Sequence, residues 1–276
     1  MNIKESAAAW LRSVVRGHVG ANIRRYDYAL YAGQLAHNAL GYISYLSPQE
    51  GAVADVGEQF SLVKTSPNKF FVVLNALLSE PLQPGQKVRI VTYRPRRFDG
   101  SATDGTEDAA VNGLRSIVIG GAQSIFPVKW PGRHLGLDEK FSAAWQEIGN
   151  PYLREMIEQL EKLPANGGYR RLVNVLIDAG ARNLVFVDPP EQDAATAPAI
   201  RMEVATAKFK GVLELRYDRA GDMYGISLQS GESTVDLADI TFDELSEQLI
   251  DAIDDESWRA AKVTVLRAAK KRAVAA

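Results

Sequence analysis

The chain has 276 residues, 46% hydrophobic and 24% charged, enough for buried cores in about two domains. It contains no cysteine, which excludes disulfides, thiolate nucleophiles and cysteine-based metal sites. Its net charge of −2 is unevenly placed: residues 1–100 carry 12 Lys and Arg against 7 Asp and Glu, while the remainder is acidic, which directs attention to an anionic partner on the N-terminal side.

The start, "MNIKESAAAWLRSVVRGH", has no secretory hydrophobic region, because Lys4, Glu5, Arg12 and Arg16 interrupt it. With the lack of cysteine this gives the expectation of a cytoplasmic protein. Trp10, Leu11 and Val14 share a face at helical spacing, and Gly17 and Gly20 end that first helix. "YDYALYAGQLAHNAL" puts Tyr28, Tyr31 and Leu35 on a second helical stripe, read as core. From Gly51 the period changes to alternation. "AVADV", "FSLVKT", "KFFVVLN" and "KVRIVTY" are β-rich runs separated by turn formers, and they predict a small curled sheet or barrel on the N-terminal helices.

The order "EGAVADVGEQFSLVKT", "FFVVLNALLSEPLQPGQKVRIVTY" is a glycine-led strand, a second strand after a polar turn, a Leu-containing connector, then "PG" and a basic strand. In residues 50–93 it resembles the KfrB-type small β-barrel domain of plasmid-borne proteins. That resemblance implies a mobile-element setting and carries no catalytic motif.

Residues 99–110, "DGSATDGTEDAA", read as a loop or linker, and residues 138–162 as helical, with Asn150 capping and Pro151 in the first turn of the later helix. "LPANGGY" (163–169) predicts the main boundary, giving a helical and small-barrel region over 1–165 and an α+β domain over 166–276. The second part reads as a helix stopped by Gly180 and a strand "NLVFVDPP". Hairpin-spaced strands "RMEVATA", "GVLELRYD", "MYGISLQ" and "GESTVDL" follow. Two helices finish it, one opened by the Thr241/Glu244 capping box and one over "ESWRAAKVTVLRAAKKR". The fold class is α+β.

Little in the chain points to chemistry. Neither a phosphate-binding glycine loop nor a dinucleotide fingerprint is present, and His18, His37 and His134 are scattered. His37 reads as structural, whereas Trp130, Arg133 and His134 in a Pro/Gly loop form a candidate ligand rim. Asp188-Pro189-Pro190 resembles the amino-methyltransferase motif, but Glu191 stands where an aromatic would follow, so it reads as a strand terminator. Asp188, Glu203 and Glu214 on consecutive strands, with Lys208 and Arg216 nearby, resemble the carboxylate set of a metal-dependent nuclease, although the lysine spacing fails at Glu203 and Arg216 replaces lysine beside Glu214. No residue cluster calls for a cofactor or structural metal.

The basic stretch "KVRIVTYRPRRF" remains. Alternation buries Val88 and Ile90 and turns Lys87 and Arg89 to solvent, and Pro95 ends the strand or makes it an edge, sending Arg94, Arg96 and Arg97 to the rim. Residues 236–256 hold nine acids and no base, residues 259–272 six bases and no acid, and Lys270, Lys271 and Arg272 project past the acidic turn. Together Lys87, Arg89, Arg94, Arg96, Arg97, Lys270, Lys271 and Arg272 are the candidate nucleic-acid-binding residues. The expected role is a non-enzymatic accessory or binding protein that contacts nucleic acid or a protein partner. A metal-dependent nuclease or other phosphodiester enzyme and a structural subunit of an assembly are the alternatives.

Overall fold

A computed structural model of the chain describes residues 2–34, 36–37, 43–44, 46–102, 124–129, 146–168 and 170–269. The fold is α+β, built on one mixed and one antiparallel sheet. The chain forms two compact units, Met1–Tyr93 with Trp258–Ala276, and Arg94–Ser257. The division therefore does not fall at 165/166.

In the first unit, α1 (Ile3–Val14) is capped by Asn2, whose Oδ1 accepts the Lys4 N–H at 3.1 Å. It precedes β1 (Asp27–Tyr31), β2 (Ala36–His37) and β3 (Ile43–Ser44), the last two forming a two-residue ladder. Then come β4 (Gln49–Val56), β5 (Phe60–Ser66), β6 (Lys69–Leu74) and β7 (Lys87–Val91). The sheet runs β1-β6-β5-β4-β7 and is completed on the far side of β7 by a strand from the C-terminal part, Lys262–Arg267. It is open, with both outer strands as edges, so the barrel expected for this region is not closed.

The apolar runs of β5 and β6 are continuous because both faces of the sheet are buried there. On one face Ala7, Leu11 and Val15 of the helical segment pack on Phe60, Leu62, Phe70 and Val72. On the other face Tyr31, Val53, Val63, Phe71, Val88, Ile90 and Val263 form the second cluster. Gly57 admits Trp10: a Cβ there would stand 2.6 Å from the indole Nε1.

Two expected helices are strands. Asp27–Tyr31 pairs in parallel with Lys69–Val73. Tyr26 and Leu30 pack with the α1 cluster, Ala29 and Tyr31 with the other, so the period is two. The C-terminal run forms a short turn at Ser257–Arg259 and then the strand Lys262–Arg267. Val263, Thr264 and Val265 are β-branched, favouring a strand over a helix. The entry to this strand is fixed by Ala261 N–H donating to Leu77 O at 2.6 Å, and Val263 N–H to Ser79 Oγ at 2.9 Å.

Among the described residues, the regular structure of the second unit opens with the parallel ladder of β8 (Val128–Lys129) and β9 (Gln146–Glu147). Helices α2 (Pro151–Lys162) and α3 (Leu172–Asp178) follow. As the sequence predicts, Asn150 caps α2, its Oδ1 accepting from Tyr152 and Leu153 N–H at 2.9 and 3.2 Å. Strands β10 (Arg182–Val187), β11 (Ala199–Ala205), β12 (Lys210–Asp218), β13 (Met223–Ser230) and β14 (Ser233–Ile240) form an antiparallel meander in that order. Gly231 takes the left-handed turn between the last two, at φ +59°.

Next comes α4 (Leu245–Ile253), which starts after a turn closed by Glu244, whose carboxylate accepts from Thr241 N–H and Oγ–H at 3.0 and 2.8 Å. Helices α2, α3 and α4 cover one face of the meander, with Leu153, Ile157, Leu160, Leu172 and Leu176 against Ile200, Met202, Leu213, Leu215 and Ile226. Because α2 shares this core with α3 and the sheet, "LPANGG" is a tight connection within one unit. The C-terminal strand Lys262–Arg267, β15, belongs to the first unit.

Candidate nucleic-acid interface

Strand β7 carries the alternation that the sequence predicts: Val88 and Ile90 are buried, Lys87 and Arg89 exposed. It ends at Val91, ahead of Pro95, and is an inner strand of the sheet rather than an edge, because β15 lies along it. The register places Arg267 opposite Lys87, Thr264 opposite Arg89 and Lys262 opposite Val91, while on the other flank Ala52 and Glu50 of β4 pair with Lys87 and Arg89. Opposed residues share a face and stand about 5 Å apart, and alternate residues along a strand about 7 Å. This is the sheet face on which α1 packs over β5 and β6.

Four bases, Lys87, Arg89, Lys262 and Arg267, therefore lie exposed on one strip of two strands. The one acid opposed to them is Glu50, whose Oε1 is 3.7 Å from Arg89 Nε, with both side chains about half exposed (49% and 50%). At that exposure the pair contributes less than about 1 kcal/mol and either member exchanges partners readily. Lys87, Lys262 and Arg267 make no ion pair among the described residues. Closer to α1 the polar groups are engaged with each other: Lys64 Nζ donates to His18 O at 2.5 Å, and His18 Nε2 is 3.4 Å from Asp55 Oδ2.

The remaining predicted bases divide. Arg94, Arg96 and Arg97 belong to the other compact unit. Arg96 is bridged to Ala102, its Nη1 donates to Gly100 O at 2.5 Å, and Arg97 N–H donates to Ser101 O at 2.9 Å. Phe98 in that turn packs on Phe126 at 5.0 Å between ring centroids. Arg94 is half-buried and beside the buried Pro95. Lys270, Lys271 and Arg272 lie outside the described residues, as do Trp130, Arg133 and His134, and for His37 only the backbone is described.

The carboxylates of the alternative nuclease reading have other occupations. Asp188 accepts the Gly149 and Asn150 N–H groups, each at 2.8 Å, and Asn150 Nδ2 donates to Pro189 O, so Asp-Pro-Pro anchors the start of α2. Glu203 receives Asn183 Nδ2 and Arg182 Nε, both at 3.0 Å, and these bonds, that of Asn183 first, lower its carboxyl from the ordinary value. Glu214 pairs with Arg201, and Arg216 stands 3.6 Å from Asp236. These pairs form a ladder of opposite charges across the outer face of the meander. Lys208 donates to the last carbonyls of α4, Ile250 O and Asp251 O. Among the described residues no three His, Asp or Glu side chains converge as a metal site.

Sequence reasoning missed Lys262 and Arg267, which it placed on the expected C-terminal helix. The signal available was the β-branched run Val263-Thr264-Val265 between them. No helix among the described residues is long and apolar enough to cross a membrane. No protein-family model, curated protein or solved structure matches the chain.

Proposed function

We propose that the protein is a non-enzymatic accessory protein that grips nucleic acid by its phosphates through the open face of β7 and β15, in the mobile-element setting that the resemblance of residues 50–93 to the KfrB type implies. The observation that supports this reading most is the laying of β15 on β7, which adds Lys262 and Arg267 to Lys87 and Arg89 on one solvent face. A net surplus of three positive charges on a rigid ladder suits a polyanion, because the cations are positioned by backbone pairing and need little ordering on contact. The strip presents no aromatic ring and no acceptor–donor pattern for base edges, so the binding it supports is independent of sequence.

The test is a fluorescence-anisotropy titration of the full chain with labelled single-stranded and duplex DNA, with and without magnesium. The expected result is salt-sensitive binding with the DNA left intact. The double variant Lys262→Ala with Arg267→Ala should lose affinity for every sequence alike. Full retention of affinity in that variant would refute the reading, and magnesium-dependent cleavage would favour the phosphodiester enzyme in its place.

A further inference from the structure

The second unit contains a cleft of about 520 Å³, within the range of small-molecule sites. One wall is a stripe of α2, with Tyr152, Glu155, Met156 and Gln159 at helical spacing. The opposite wall is the β12–β13 hairpin, where Tyr217 and Tyr224 face each other in register, and Phe242 and Asp243 close one end. Four aromatic rings, three carboxylates and no Lys or Arg line it.

The rings are held in place. Tyr152 and Tyr217 stack at 5.9 Å between centroids, and Tyr217 and Tyr224 meet tilted at 5.3 Å. Each hairpin ring is fixed at its tip: Tyr217 Oη donates to Asp222 Oδ1 at 2.5 Å and Tyr224 Oη to Gln159 Oε1. Asp222 itself occupies a left-handed position, φ +54°. Burial raises the Tyr224 phenol to about 12, with the Gln159 hydrogen bond opposing the rise and the charges of Glu155 and Asp222 adding to it.

The same aromatic wall already takes a cation. Arg219 lies 5.4 Å from the Tyr152 ring centroid, in a neighbouring cleft that shares Tyr152, Tyr217, Met223 and Tyr224. A bare metal ion is a poor fit to this cleft, because its carboxylates do not converge and the space greatly exceeds one ion. An extended ligand with an apolar stem and a cationic head matches rings beside separated acids.

We infer that this cleft binds an alkylammonium group, its stem against Tyr152, Tyr217, Tyr224 and Phe242 and its charge toward Glu155, Asp222 and Asp243. A lysine side chain of a polypeptide and a free polyamine share that chemistry. The inference is independent of the proposed phosphate-binding strip, which belongs to the other unit.

The test is calorimetric titration of the full chain with two probes, spermidine and an end-blocked tripeptide with central lysine, alongside the same tripeptide carrying norleucine. At least one cationic probe should bind, and which one does identifies the source. Phe242→Ala and Glu155→Gln are substitutions at exposed positions that leave the core intact. Each should weaken binding by about two- to five-fold, the effect of one exposed cation–π or ionic contact. Absence of binding by both cationic probes through millimolar concentration would overturn the inference. So would binding that both variants leave unchanged, or equal binding of the norleucine peptide.

Discussion

Arg170 is the charge whose removal should matter most to the second unit. Its side chain is fully buried, its Nε donates to Asp178 Oδ2 at 2.8 Å, and its Nη1 donates to Asp254 Oδ2 at 2.6 Å and Asn166 Oδ1 at 2.7 Å. It thus ties the end of α3 to the residue that ends α4. Arg170→Met keeps most of the volume but leaves Asp254, 3% exposed, without its cation. Breaking a buried pair from one side costs about 3–5 kcal/mol, because the orphaned charge keeps its desolvation penalty. That is a large part of the roughly 5–15 kcal/mol that holds a domain folded.

Urea unfolding followed by circular dichroism gives the loss, and hydrogen exchange gives its place: peptides from 151–178 and 245–254 should lose protection while those from 49–91 keep theirs. Adding Asp254→Leu to Arg170→Met should recover a substantial part of the loss, since the orphaned charge is then gone. A loss below about 1 kcal/mol for Arg170→Met would refute the argument that this ion pair is desolvated in the native state.

Further outcomes follow from other contacts. Asp188→Ala should cost about 1–3 kcal/mol by leaving two N–H groups at the start of α2 without an acceptor; unchanged urea stability would show that Asp188 does not anchor that helix. Gly57→Ala should displace Trp10, since the added Cβ would stand 2.6 Å from its Nε1; an unaltered indole emission spectrum and an unaltered Tm would show that the helix is not seated there. The Tyr224 phenol is raised to about 12, so its neutral form is favoured in the fold. That stability is fully present below the ordinary phenol value of about 10 and is lost as pH rises toward the folded value. Tyr224→Phe should flatten the alkaline decline in urea stability, and an identical decline in both proteins would contradict the assignment.

What the sequence disclosed depended on how local the deciding contacts are. Asn150-Pro151 announces α2 because the cap and the first turn are neighbours in the chain, and the β11–β14 hairpins are legible for the same reason. Tyr28 and Tyr31 lie three apart and mimic a helical stripe; only their parallel pairing with Phe70–Val73 makes them a strand. The stretch 262–267 sits among alanines and lysines that suit a helix, and its partner β7 is far back in the sequence. The site divides the same way. Lys87 and Arg89 declare themselves by alternation within one strand, whereas Lys262 and Arg267 join them only through non-local pairing. Arg170 and Asp254, 84 residues apart, give no sequence signal of their meeting. The cleft is similar: Tyr217 and Tyr224 oppose each other in a hairpin, but Tyr152 reaches them only by the packing of α2.

The central claim is that one basic sheet face holds phosphate, and its most direct measure is the salt dependence of DNA affinity. The slope of log affinity against log salt should be compared between the natural chain and a variant with Lys87, Arg89, Lys262 and Arg267 all changed to Ala. Four exposed bases on one strip predict a fall in slope of about three to four units, at roughly 0.9 per lost duplex phosphate contact. An equal slope and affinity in the two proteins would contradict the account and return β7 and β15 to an ordinary solvated sheet face.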